Sequence, residues 1–218
     1  MRGLASAALF GFLVAIPGDL FGVDTSAARL SLVTNLQDLL SLLPTDTLLL
    51  QEPAAIEQFL EALDGSPPDW AALRGSHEAR HDERLFALNR DRDRLRAGRA
   101  ALTQRITFLW DGVLSSYVPE KGGFLVAIGP EVISTRWGLV RFKPESLLDE
   151  LLAVPPSGLT DSLQVRVSRG ETIKMVVAMT GRLVPDEALI YDFAHEDPGQ
   201  GMIMPMVRVD RIDYLVPE

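Results

Sequence analysis

The chain has 218 residues, 47% of them hydrophobic and 23% charged, which is the balance of a globular protein and not of a disordered one. Its formal net charge of −9 argues against general affinity for nucleic acid or for anionic membrane surfaces. It has no cysteine, which excludes disulfides, thiolate metal sites and cysteine nucleophiles.

Met1-Arg2 precede an uncharged stretch at 3–18, densest at 4–16 and broken by Pro17-Gly18. A short basic start followed by an apolar core is the pattern of a secretory signal peptide. It falls short of the ~20 apolar residues that a membrane helix needs. Cleavage fits after Gly22, or after Ala27 or Ala28; the alternatives are an uncleaved anchor or a buried first helix.

The spacing predicts an amphipathic helix over 24–43, with Leu32, Val33, Leu36, Leu39, Leu40 and Leu43 on one stripe and Pro44 as its stop. Leu32, Leu36, Leu40 and Leu43 are candidate partner-binding residues, because so wide an apolar stripe needs a cover. A second helix is predicted at 53–64, with Pro53 in its first turn, Ile56, Phe59, Leu60 and Leu63 inward, and Gly65 as its C-terminal cap. Ser66-Pro67-Pro68-Asp69 reads as a turn.

From 76 to about 103 arginines crowd among acidic residues, and Leu88, Leu95 and Leu102 recur every seven positions with Leu85 beside them. One long charged helix is expected, with a thin apolar seam and a mostly solvated face. Near its start stands His77-Glu78-Ala79-Arg80-His81, an H-E-x-x-H string. On a helix this spacing puts two imidazoles on one face for zinc, with the glutamate as base on a metal-bound water. His77 and His81 would be ligands, Glu78 the catalytic base, and His195, the only other histidine, the third ligand. The charged neighbours Arg80, Asp82, Glu83 and Arg84 favour instead a solvated helix with surface histidines.

Beyond residue 104 the periodicity turns to two. Strands are expected at 106–110 and 113–118 around an Asp111-Gly112 hairpin, then at 124–128 and at 132–142 with a bend at Gly138. A short helical insert at 145–152 is followed by strands at 163–168, 172–180, 188–193, 202–209 and 212–216. Trp110, Tyr117, Trp137, Phe142 and Tyr191 read as core and cross-strand pairs. Met202, Met204 and Met206 read as core packing more readily than as a soft copper site, and Asp192, Glu196 and Asp197 as solvated turn carboxylates more readily than as a calcium site. No G-x-S-x-G elbow and no phosphate-binding glycine loop occurs.

The expected class is α+β. N-terminal helices, including one long charged helix, precede an antiparallel β-rich sandwich or small barrel with one short helical insert. The expected divisions are a targeting segment at 1–22, a helical region at 23–103 and a β-rich domain at 104–218. The functional expectation is an exported or membrane-tethered bacterial envelope protein with a binding or assembly role and no catalysis. It would meet a protein partner, or itself, through the helical region, touch membrane only through its N-terminal segment, and need no cofactor. A zinc-dependent hydrolase built on the string at 77–81 is the alternative, and a small-ligand-binding β-barrel the second.

Overall fold

The computed structural model describes residues 28–33, 36–74, 81–146, 151–194 and 200–217. Strand β1 (Ala28–Val33) leads to helix α1 (Leu36–Leu42) and the short strand β2 (Thr47–Leu49). Helix α2 (Pro53–Asp64) follows the predicted bounds: Pro53 occupies the first turn, where its missing N–H has no partner to lose, and Gly65 closes the helix at φ 78°. Its Ile56, Phe59, Leu60 and Leu63 are fully buried or nearly so. Each such side chain contributes about 1.5–3 kcal/mol of transfer free energy.

Helices α3 (Trp70–Arg74) and α4 (His81–Arg96) come next. The charged helix therefore ends well before residue 103. Gly98 takes φ 81°, and Ala100–Thr103 form a separate 3-10 turn leading into the sheet.

Strand β3 (Arg105–Val118) runs unbroken through Asp111-Gly112, so the predicted hairpin there does not exist. Gly112 serves packing instead. A Cβ at this position would lie 3.1–3.3 Å from Val177, Met175 and Val126 of the two flanking strands. Strand β4 (Gly123–Ile128) returns along β3 after a 3-10 turn at Pro119–Lys121.

The strand predicted at 132–142 is two: β5 (Ile133–Thr135) and β6 (Gly138–Val140), a hairpin turned at Arg136-Trp137. Gly138 at φ 128° supports that turn, and its missing Cβ leaves room for the carbonyl of Gly201. Lys143–Pro144 (β7) and Leu152–Val154 (β8) are short strands, so Leu152 does not belong to the helical insert expected at 145–152.

Residues 163–168, predicted as a strand, lie in helix α5 (Thr160–Ser168). Of the three apolar residues at alternate positions, Leu163 and Val167 also stand at i, i+4. Leu163 is buried, Val167 packs against the core, and Val165 is 46% exposed. Strand β10 (Leu189–Phe193) matches expectation, while β9 (Lys174–Leu183) runs past the expected end at residue 180, through Gly181, which pairs on both sides. The two strands expected at 202–209 and 212–216 are one, β11 (Gly201–Pro217).

The architecture is α+β: a mixed sheet of many strands with an antiparallel centre, β4–β3–β9–β11–β10, plus helices. Strands β1, β2, β6 and β7 add parallel pairings. The segment 28–33 was expected to be helical. It is a strand whose backbone pairs with β8 through Ala28 and Arg29 and with β11 through Leu30–Val33.

The main core lies on one face of the sheet. There Phe108 stacks on Phe142 and meets Trp110 edge-on, beneath the apolar stripe of α2. On the opposite face Leu39 of α1 and Leu43 just beyond its end pack with Ala178 and Leu215. Thr107, also fully buried, joins hydroxyls with Thr47 and Thr180, so its polar atom is satisfied. A register shift between Val209 and Arg211 interrupts the β9–β11 ladder at Asp210, whose carboxylate takes bonds from Arg105 and Arg182.

Candidate interaction face on α4

The inward stripe of α4 is polar. Leu85, Asn89, Arg92 and Arg96 follow one another at i, i+4, i+7 and i+11, which puts them on one helix face. They meet the outer edge of β10 and the end of α2.

Asn89 acts as a substitute strand. Its side-chain amide donates to the Tyr191 carbonyl (2.9 Å), and its carbonyl oxygen accepts from the Tyr191 N–H (2.8 Å). This blocks an edge that would otherwise present free hydrogen-bonding groups.

Arg96 and Asp64, each with a side chain 1% exposed, form a two-pronged pair: Nε to Oδ1 at 2.5 Å and Nη2 to Oδ2 at 2.9 Å. Arg92 adds a third donor to Asp64 at 3.0 Å, and the Tyr191 hydroxyl donates a fourth. Both guanidinium groups also lie over the Tyr191 ring, at 5.0 and 5.6 Å from its centroid.

Burial raises the Asp64 carboxyl, but the hydrogen bonds from Arg96 and Tyr191 and the Arg96 charge outweigh it and hold the group below its ordinary value. For Arg96 burial works against the charge, and the bond to Asp64 restores it above the ordinary value. Burial, together with the neighbouring Asp64 charge, pushes the Tyr191 phenol well up, so it remains a donor. Burial likewise raises Asp93, with Asp64 and Glu187 adding to the rise against the pull of Arg96.

Trp70 of α3 completes the anchorage. It donates to the Trp137 carbonyl at 2.6 Å and lies against Tyr191 and Phe193, with its ring over Gly201, where no side chain fits. Chemically this assembly is a clamp. Its ionisable groups are spent on one another, and its product is a helix fixed on the β10 edge.

The outward side of α4 carries Glu83, Phe86, Arg90 and Arg94. Phe86 is 68% exposed, with the Arg90 guanidinium 5.8 Å from its ring centroid, and Leu95 is 69% exposed on one flank. Of the heptad seam expected through Leu88, Leu95 and Leu102, Leu88 and Leu102 pack against the core and Leu85 beside them is buried, but Leu95 faces out and Arg96 takes the buried place next to it.

His77, Glu78 and His195 lie outside the described residues. His81 opens α4, but its side chain lies outside the description too. Among the described residues no group of three or more His, Cys, Asp or Glu side chains is gathered as a metal would require. Of the apolar candidates on the first helix, the side chains of Leu32 and Leu36 are outside the description. Leu40 is 42% exposed, and Leu43 is buried with Leu39 against the sheet. Asp192 accepts from the Phe193 N–H, while Glu196 and Asp197 lie outside the described residues.

The methionine run splits: Met206 is buried, whereas Met202 and Met204 are half-buried opposite the inward Ile203. An open cavity of about 430 Å³ lies between β3, β4 and β9, lined by Asp111, Gly112, Val113, Ile128, Lys174 and Met175. Beside it Glu131 is raised by burial and by the Asp111 charge.

Asp64, Asn89, Arg92, Arg96 and Tyr191 were not legible as a unit, because they come from three separate segments. The one available signal was the i, i+4, i+7, i+11 spacing from Leu85 to Arg96, hidden by its polarity. No family model matches the chain, and neither a curated protein nor a solved structure matches it.

Proposed function

We propose that this chain is a binding or assembly protein of a bacterial envelope, non-catalytic, exported or tethered by its apolar start, and that the helical region is its partner surface. The construction of α4 carries this reading. A buried ion-pair cluster fixes the helix, and the face it leaves outward holds a phenylalanine 68% exposed among charges of both signs. A rigid helix with an exposed aromatic anchor and a polar surround has the composition of a partner-binding patch. The apolar segment at 4–16 supports export or tethering. Among the described residues no helix is long and apolar enough to cross a membrane.

The test is site-specific photo-cross-linking in cells, with the probe at Phe86 and a control probe at Val165, followed by fractionation. A defined adduct from position 86 in the envelope fraction, absent from position 165, is expected. No adduct, or the same adducts from both positions, refutes the reading.

The second reading, zinc-dependent hydrolysis, rests on the spacing of His77, Glu78 and His81 with His195 as third ligand. Elemental analysis of the purified chain separates the two. Near-stoichiometric zinc that is lost on His81→Ala favours the hydrolase. The double pairing of β1, with β8 and with β11, supports a sheet that curls into a small barrel. Phe108, Trp110, Phe124 and Val177 fill the core space that a lumen-binding protein would leave open.

A further inference from the structure

We propose that the partner met by α4 is a second copy of this chain, and that two α4 helices pair antiparallel about a two-fold axis near residue 88. The inference rests on the reading of α4 as a partner surface and gives that surface its occupant. At about 100° per residue, Glu83, Phe86, Ala87, Arg90 and Arg94 form one stripe, roughly opposite the buried stripe of Asn89, Arg92 and Arg96.

The order of charges along this stripe is what selects the occupant. Its N-terminal end is acidic (Glu83) and its C-terminal end basic (Arg90 and Arg94). A two-fold axis near residue 88 sets residue i of one helix against a residue close to 176 − i of the other. Glu83 then faces Arg94 of the second copy, and Phe86 faces Arg90. Every opposite-charge contact occurs twice, as a self-complementary two-fold interface requires. Each Phe86 ring, already beside its own Arg90, gains the second copy's guanidinium on its exposed side. Ala87, small and half-exposed near the axis, lets the helices approach. A parallel pair would instead set Glu83 against Glu83 and Arg94 against Arg94, which like-charge repulsion opposes.

Among the described residues Arg94 bonds Asp91, at 3.3 Å, and both are more than 60% exposed, so that pair holds it weakly. The helix is 16 residues, about 24 Å long. Two such faces cover less than the ~1,200 Å² of a standard interface, so the dimer is weak, reversible and salt-sensitive.

Sedimentation of the full chain over a wide concentration range tests this. Monomer–dimer exchange is expected, with Glu83→Arg and Arg94→Glu each weakening it roughly tenfold and the double reversal restoring it. Both positions changed are exposed, and unchanged melting curves verify that the variants fold. The absence of cysteine supplies a second measurement. Glu83→Cys combined with Arg94→Cys should oxidise to a covalent dimer faster than either single variant, since the two positions stand about 16 Å apart within one helix, too far for an internal disulfide.

A chain that stays monomeric, a dimer indifferent to both reversals, or a double reversal as weak as the singles overturns the pairing. If the chain is monomeric but a probe at Phe86 captures one defined other protein, the pairing fails and the partner-surface reading stands. If no adduct of any kind forms at Phe86, both fail.

Discussion

Replacing Asp64 by alanine removes the centre of the clamp while leaving its cations in place. Arg96, 1% exposed, would lose both prongs of its carboxylate pair, at 2.5 and 2.9 Å, and keep Asp93, a long contact to the Leu189 carbonyl and the face of the Tyr191 ring. Arg92 and the Tyr191 hydroxyl would lose their common acceptor as well. Breaking a buried pair from one side costs about 3–5 kcal/mol, because a desolvated charge is left uncompensated. For a chain of this length that corresponds to a fall in Tm of about 6–20 °C.

The assay is urea unfolding of a double-mutant cycle with Asp64→Ala, Arg96→Met and both. If the cost arises from the stranded charge, the double variant is less destabilised than the two singles summed, by more than about 1.5 kcal/mol. An Asp64→Ala cost below about 1 kcal/mol, the range of a surface pair, would refute the clamp.

The same carboxyl sets a pH dependence. Its folded pKa lies below the ordinary 3.8, so its stabilisation is complete above that value and is lost as pH falls through the lower folded one. The urea midpoint should therefore fall steeply below about pH 4, and Asp64→Asn should flatten that fall; parallel curves contradict it. Asp93, held high by burial, works in the opposite sense over this range, so the difference between variants is the readout. Asn89→Ala should cost about 1–3 kcal/mol by orphaning the Tyr191 N–H and carbonyl. It should also speed amide exchange at Tyr191 and raise light scattering as the β10 edge opens, and unchanged exchange would contradict the edge-cover role. Gly181→Ala should destabilise by about 1–3 kcal/mol or more, because its Cβ would collide with the Arg208 carbonyl oxygen in the centre of the ladder. A neutral urea midpoint would mean that the backbone there yields freely.

Local signals read well where local forces decide. Pro53, the stripe from Ile56 to Leu63 and Gly65 define α2 from within twelve residues, and tertiary structure only accepts what they propose. Strands β4, β9 and β10 were likewise legible from alternation. The errors fall where a neighbour overrules the local pattern. Asp111-Gly112 resembles a hairpin turn, yet Gly112 is there because two flanking strands leave no space for a side chain. Leu163, Val165 and Val167 fit a period of two, but Leu163 and Val167 also stand at i, i+4, and three residues are too few to decide. Leu32 and Val33 continue the helical stripe of residues 36–43, but two sheet edges are within reach of the backbone at 28–33.

The clamp was hidden for a different reason. Hydrophobic periodicity assumes that the buried side of a helix is its apolar side, and the C-terminal half of α4 departs from this, with Arg96 buried and Leu95 exposed. Arg92 and Arg96 are inward because Asp64, some thirty residues earlier, and Tyr191, about a hundred later, supply the charge and the hydrogen bonds that make burial tolerable. Phe86 is 68% exposed on the side of the helix away from β10. A buried cation and an exposed aromatic ring on one helix run against simple patterning, and such departures mark functional or specificity-determining surfaces. A hydrophobic inner face could have slid along the β10 edge. The two-pronged carboxylate and the Asn89 amide each accept one register, which fixes the azimuth of α4 and therefore which of its residues face solvent.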